Sequence, residues 1–404
     1  MNFFSFHLMP WPYLAPPRRF LAEHEAAWVT LSNEEYDPVR GRELYERYLG
    51  ELVMAEELGL DGVVVNEHHQ NAYGLMPSPN LMAAALTQRT ERVRICVLGN
   101  ALPLYNPPTR VAEEMAMLDV LSGGRLIAGL VVGGGPEYYS YNVDPTEARP
   151  RFREAVELVL QAWTRPGPFA FDGEYYQLPY VNPWPRPLQQ PHPPVWIPGL
   201  GSPSTISYCA ERGFGYMGVA YYAPPETFAR QAVAYHQAVA AAGRPYDPEL
   251  LGWLTTVYVA ESDEQAVEEA APHLAYFQGT LAAGFVGVGK VWMPPGYIDP
   301  PALVQFLSDL RSMVGGARPS DPKQAVWHRS PLIGSAATVR ERLLAYVSEL
   351  RIGTVLALLQ FGSLPAALTA KSARLYAEEV VPYVREAAEK HFASLPTGSP
   401  GPGS

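Results

Sequence analysis

Eight short apolar runs, at residues 3–8, 62–66, 93–98, 126–132, 195–199, 216–220, 251–260 and 354–361, alternate with longer stretches of helical period. Most are continuous in Val, Ile and Leu, as strands covered on both faces are, and parallel strands can be rejoined only through crossovers. Eight repeats of that unit predict an α/β fold, a closed (β/α)8 TIM barrel. Such barrels hold about 250 residues or more in one unit. The 404 residues, 48% hydrophobic and 18% charged, are therefore expected to form one domain over 1–392. The remainder, 393–404, consists largely of Pro, Gly and Ser and is expected to be a disordered tail.

Local signals place two of the helices. Asn106 can cap, Pro107 and Pro108 suit a first turn, Val111, Met115 and Leu118 form one stripe, and Gly123-Gly124 ends it. A second helix is expected over 43–58, aligning Leu44, Tyr48, Leu52 and Ala55 before Gly59. Long insertions at 9–37, 133–190 and 262–330 follow the first, fourth and seventh strands. Those are strand C-terminal ends, where this fold builds active sites. Within the second, Phe171-Asp172-Gly173-Glu174-Tyr175-Tyr176 predicts a hairpin with Asp-Gly turn chemistry.

Charge and composition remove several partners. With 41 acidic against 30 basic residues the net charge is -11, and no Lys/Arg-rich run could track a phosphate backbone, which argues against nucleic acid. No segment is apolar for long enough to span a bilayer, and the N-terminus lacks the pattern of a signal peptide. Cys96 and Cys209 lie in apolar surroundings and call for no oxidising compartment. The expectation is a cytoplasmic protein.

Asn66-Glu67-His68-His69 follows the second strand's run Gly62-Val63-Val64-Val65. Neighbours on a strand point to opposite sides, so one histidine should face the barrel mouth and the other the wall, which disfavours a paired metal site. No further ligand stands at a familiar metal spacing. An imidazole at the catalytic face is the natural proton handler near neutral pH, though a histidine bonded to Glu67 for packing alone is the competing reading. In Gly199-Leu200-Gly201-Ser202-Pro203-Ser204-Thr205 a strand ends in glycines and a helix opens with hydroxyls. That pattern suits a phosphate, or Ser202 is a plain cap. Gly133-Gly134-Gly135 lets backbone approach a ligand, or is a flexible loop. Phe6, Trp11, Tyr73, Tyr105 and Tyr138, with Tyr13, Tyr139 and Tyr141, lie at or after strand ends and suit a small apolar or aromatic ligand.

The residues from Asn66-Glu67-His68-His69 through Leu98-Gly99-Asn100-Ala101-Leu102-Pro103, Pro108-Thr109-Arg110-Val111-Ala112-Glu113-Glu114 and Leu118–Arg125 carry a resemblance. It continues into Pro193-Pro194-Val195-Trp196, 201–213, the Leu332-Ile333-Gly334-Ser335 entry to a helix, and Val381-Pro382-Tyr383. Over nearly its whole length the chain resembles the bacterial luciferase-like flavin monooxygenases. The resemblance implies a barrel that binds reduced FMN, reacts it with O2 to a flavin C4a-peroxide and oxygenates an organic substrate. It also implies a separate NAD(P)H:flavin reductase and a homodimer.

Position by position, His68 matches the family's catalytic histidine, with Glu67 and His69 as supporting neighbours. Gly99 and Asn100 match the strand end beneath the isoalloxazine, where some members have a non-proline cis peptide. Ser202 and Thr205 match phosphate-holding residues, and Gly201, where the luciferase has an acidic residue, could contribute only backbone. Val132, ahead of Gly133 and Gly134, stands where many members carry a phosphate-binding Arg. Losing one charge-assisted bond of about 1.5–3 kcal/mol predicts FMN binding about ten- to a hundredfold weaker, with little flavin retained on purification. The 262–330 insertion matches the family's mobile lid, with Gly284, Gly287 and Gly289 to permit movement. Two other readings fit the same fold: hydride transfer with the deazaflavin F420, and a non-catalytic flavin-binding or partner subunit.

Overall fold

The computed structural model describes residues 1–221, 224–282, 291, 294, 304 and 322–394. Its strands are β1 (Asn2–Phe6), β2 (Gly62–Val65), β3 (Arg94–Ala101), β4 (Leu126–Val131), β5 (Phe169–Asp172), β6 (Gln177–Val181), β7 (Val195–Gly199), β8 (Gly215–Val219), β9 (Leu251–Ala260), β10 (Leu332–Ser335) and β11 (Thr354–Leu358). Eight of them close a parallel barrel in the order β1-β2-β3-β4-β7-β8-β9-β11, with β11 returning to β1. Each of the eight apolar runs supplies one of these strands. Their burial on both faces, complete along β9, is why those runs lack polar alternation.

The helices before the third insertion are α1 (Pro17–Glu23), α2 (Pro38–Glu57), α3 (Pro79–Thr87), α4 (Thr109–Leu121), α5 (Gly135–Tyr141), α6 (Ala148–Thr164), α7 (Pro203–Arg212) and α8 (Pro225–Ala241). Then come α9 (Asp263–Tyr276) and helices at Pro322–Trp327, Ala336–Leu350, Ala366–Leu375 and Val381–Ser394. The last takes in Ala393 and Ser394, at the start of the expected tail. Among the described residues no helix is long and apolar enough to cross a membrane.

Several expectations shift. α2 begins before residue 43 because the Asp37 carboxylate accepts the N–H groups of Val39 and Arg40, at 2.8 and 3.3 Å, with Pro38 in the first turn. Asn106 caps nothing: α4 starts at Thr109, its N-cap position is Pro108 with no side-chain bond, and Asn106–Pro107 is a cis peptide. Leu332–Ser335 does lead into a helix, Ala336–Leu350, with the Ser335 hydroxyl accepting the Thr338 N–H, but is itself a short strand that pairs with Val257–Ala260, the end of the long β9. That pairing satisfies backbone groups which β8 and β11 do not reach.

The first two insertions are not loose loops. The second contains α5, α6 and the β5–β6 hairpin, whose turn is held by Glu154 of α6 accepting the N–H groups of Glu174, Tyr175 and Tyr176. The first fastens to the end of α9: the Tyr276 hydroxyl donates to the Trp11 carbonyl (2.9 Å), and the Trp28 indole N–H to the Leu281 carbonyl (2.8 Å). Gly284, Gly287 and Gly289 lie outside the described residues.

At the top of β3 and β4 the backbones touch. A methyl at Gly99 would lie 2.4 Å from the Gly129 carbonyl carbon, and one at Gly129 2.0 Å from the Val97 oxygen. Only glycines fit there, and the ladder slips between Val97 and Asn100. The Leu98–Gly99 peptide is cis.

Candidate active site

β2 stops at Val65, so the two histidines lie in the turn beyond it, and strand alternation does not set their directions. Hydrogen bonds do. The nearly buried His69 places Nε2 2.7 Å from Glu67 Oε1. Glu67 Oε2 accepts from the Asn100 amide (3.1 Å), the Ala101 N–H (3.2 Å) and the Tyr105 hydroxyl (2.9 Å). A buried carboxylate with four such partners is fully compensated. Burial, then the Glu67 charge, pushes the Tyr105 hydroxyl well up, which keeps it a donor. Tyr105, expected to line a substrate pocket, therefore has its hydroxyl committed to Glu67.

His68 takes no part in that network. Its Nδ1 lies 3.3 Å from Oε1 of the buried Glu137, in the first turn of α5. Its ring stands edge-on to Trp28 at 5.7 Å and to Tyr73 at 5.0 Å. The side chain is 23% exposed, and Nε2 has no partner among the described residues. One turn along α5, the Tyr141 hydroxyl lies 3.0 Å from His69 Nδ1.

Aromatic rings surround His68. Tyr73 stacks on Phe277 at 5.8 Å and shares a hydroxyl–hydroxyl bond with Tyr221, which packs 6.3 Å from Phe6. Trp11 packs instead against Tyr13 and Tyr36. Tyr138 donates its hydroxyl to the Val132 carbonyl, bracing the turn Val132-Gly133-Gly134 into α5. The glycine cluster is thus the start of a helix. Trp28, Tyr221, Phe277 and Glu137 had no distinguishing signal beyond residue type, apart from an acidic residue just after the glycines.

A second cluster forms where β7 meets α7. Gly201, at φ +97°, gives its N–H to the Tyr216 hydroxyl (3.0 Å). Ser202 holds the N-cap position of α7 without capping it, its Oγ lying 3.0 Å from Ser204 Oγ. The plain-cap reading therefore fails. Arg149 of α6 brings Nη1 to 3.4 Å from Ser204 Oγ and 3.5 Å from Thr205 Oγ1. Its Nε is buried without a partner among the described residues. A guanidinium, three hydroxyls and the positive end of a helix converge here, a donor set that suits an anion such as phosphate. Sequence reasoning missed Arg149 because the chain separates it from that loop by 55 residues. Among the described residues no group of three or more His, Cys, Asp or Glu could hold a metal ion.

The profile of a family described as luciferase-like monooxygenase matches residues 25–351. The oxygenase component of a flavin-dependent trigonelline monooxygenase from Acinetobacter baylyi is 28% identical over 76% of this chain and 81% of its own length. An F420-dependent glucose-6-phosphate dehydrogenase from Kineococcus radiotolerans is 35% identical over 41% of this chain and 50% of its own. In structure, the oxygenating constituent of 3,6-diketocamphane monooxygenase from Pseudomonas putida, solved in complex with FMN, superposes with a TM-score of 0.69. It covers 95% of this chain and 98% of that one at 20% identity, a likeness of fold.

Proposed function

The chain belongs to the luciferase-like monooxygenase family, and from that premise we propose that it is the oxygenase component of a two-component system. It uses reduced FMN and O2 to oxygenate a small apolar or aromatic substrate, with a separate NAD(P)H:flavin reductase supplying the cofactor. In this reading it works in the cytoplasm as a homodimer.

The chain's residues fit such a cofactor. The unpartnered Arg149 Nε beside the Ser204 and Thr205 hydroxyls suits a phosphate, and the buried Asn100 Oδ1, also without a partner, leaves an acceptor at the strand-end floor. Ser202, Ser204, Thr205 and Arg149 hold the phosphate; Gly99 and Asn100 form the floor; Val132, Gly133 and Gly134 line the approach through backbone. Arg149 of α6 supplies the cation that many family members carry at the Val132 position. Reduced FMN, when bound, supplies the electrons that activate O2.

His68 handles the proton, because its Nε2 is the open nitrogen of the pair. Glu67 and His69 fix the floor through Asn100 and Tyr105. Trp28, Tyr73, Tyr221 and Phe277 give the substrate an apolar, aromatic enclosure. The observation that carries the reading is the pairing of a donor cluster of Arg149, Ser204 and Thr205 after β7 with an imidazole open at Nε2 after β2, both at strand C-terminal ends of one barrel.

The test supplies reduced FMN through a flavin reductase and follows O2 uptake across a panel of small aromatic and apolar compounds. Substrate-dependent uptake with a hydroxylated or cleaved product supports the reading. Oxidation of a substrate with F420 and no O2 uptake, the chemistry of the F420-dependent relative, overturns it.

A further inference from the structure

Glu137 and Tyr141 stand four residues apart on α5, and each meets the Nδ1 atom of a different histidine. A carboxylate can only accept, so Glu137 calls for a proton on His68 Nδ1. By the same rule Glu67 calls for a proton on His69 Nε2. His69 Nδ1 is then a bare lone pair that needs a donor, which a phenol supplies and a carboxylate cannot.

We propose that α5 is a two-point clamp on the histidine pair: Glu137 holds His68 as the Nδ1–H form with its Nε2 lone pair free, and Tyr141 donates to the Nδ1 lone pair of His69, whose opposite, Nε2–H, form Glu67 sets. Both are positioning residues. The clamp rests on the proposed function only in making His68 Nε2 the useful atom.

The surroundings are built for it. A side chain at Gly134 would strike Glu137 Oε2 at 2.7 Å, so the glycine leaves room for the carboxylate. The Tyr141 ring packs on the His69 ring at 4.6 Å, which holds the hydroxyl in line. Burial, then the Glu67 charge, raises the Tyr141 hydroxyl and keeps it protonated. His69 thereby links a half-exposed tyrosine to the buried Glu67, while His68 faces Glu137 and the Tyr73 ring.

Histidine-labelled full-length protein, at a pH of about 8 where an ordinary imidazole is neutral, gives long-range proton–nitrogen spectra that report which ring nitrogen carries the proton. His68→Gln and His69→Gln assign the signals. The expected wild-type result is Nδ1–H for His68 and Nε2–H for His69. Glu137→Ala moves His68 to the Nε2–H form that unrestrained imidazoles favour and leaves His69 unchanged. Tyr141→Phe, which keeps the ring, leaves both tautomers in place and shifts only His69 Nδ1 to the position of a nitrogen without a hydrogen bond. A wild-type His68 protonated on Nε2 overturns the clamp even if no variant folds, as does a folded Glu137→Ala protein with an unchanged His68 tautomer. The predicted tautomers in a protein that does not turn over with FMN would fault the function and leave the clamp; reversed tautomers in an active enzyme would do the opposite.

Discussion

His68 and Arg149 make separable demands on the site, and substitutions should separate them. General acid–base groups contribute about 10²–10⁴-fold, so His68→Ala should lower product formation by about a hundredfold or more while reduced-FMN affinity stays close to wild type. Unchanged turnover would remove His68 from the chemistry. Arg149→Ala removes a charge-assisted contact worth about 1.5–3 kcal/mol, about ten- to a hundredfold in affinity. Fluorescence titration should show that loss for FMN and none for riboflavin, which lacks the phosphate; equal losses for both would place Arg149 elsewhere. The sequence made the histidine pair and the hydroxyl-rich turn legible because each is a local pattern. Glu137 and Arg149 were not legible, since each acts on a partner 55 or more positions away and nothing beside them marks the contact.

Elements followed the same division. Barrel strands announce themselves because burial on both faces demands continuous apolar runs, whereas β10 owes its existence to the overhang of β9 and has only four residues of its own. The joint beneath it gives a prediction. Asp263, at the start of α9, accepts the Ser335 N–H (2.7 Å) and the Thr338 hydroxyl (3.0 Å), tying α9 to the helix Ala336–Leu350. Burial works upward on this carboxyl, but the Ser335 and Thr338 bonds and the Arg342 charge outweigh it and hold it below the usual range. A lowered native value means its stabilisation is complete above the ordinary carboxylate range and is lost as pH falls through the lowered one. Asp263→Ala should therefore cost about 1–3 kcal/mol at neutral pH, measured by denaturant unfolding, and progressively less in acid. A difference that persists unchanged into strong acid would mean the carboxylate is not the cause.

At the scale of the whole molecule, the barrel sets the ends of β2, β3, β4 and β7 around one mouth, and the first insertion, clamped to the end of α9, closes in the aromatic rings. In the proposed reading the phosphate donors, the floor and the proton handler come from different strand ends. Oxygen transfer is measured with isotopically labelled dioxygen, reduced FMN from a flavin reductase, and a substrate identified from the panel. Product should carry a single labelled oxygen atom and form only when reduced FMN is present. Product without label, or turnover that proceeds with F420 in the absence of oxygen, would contradict the proposed function.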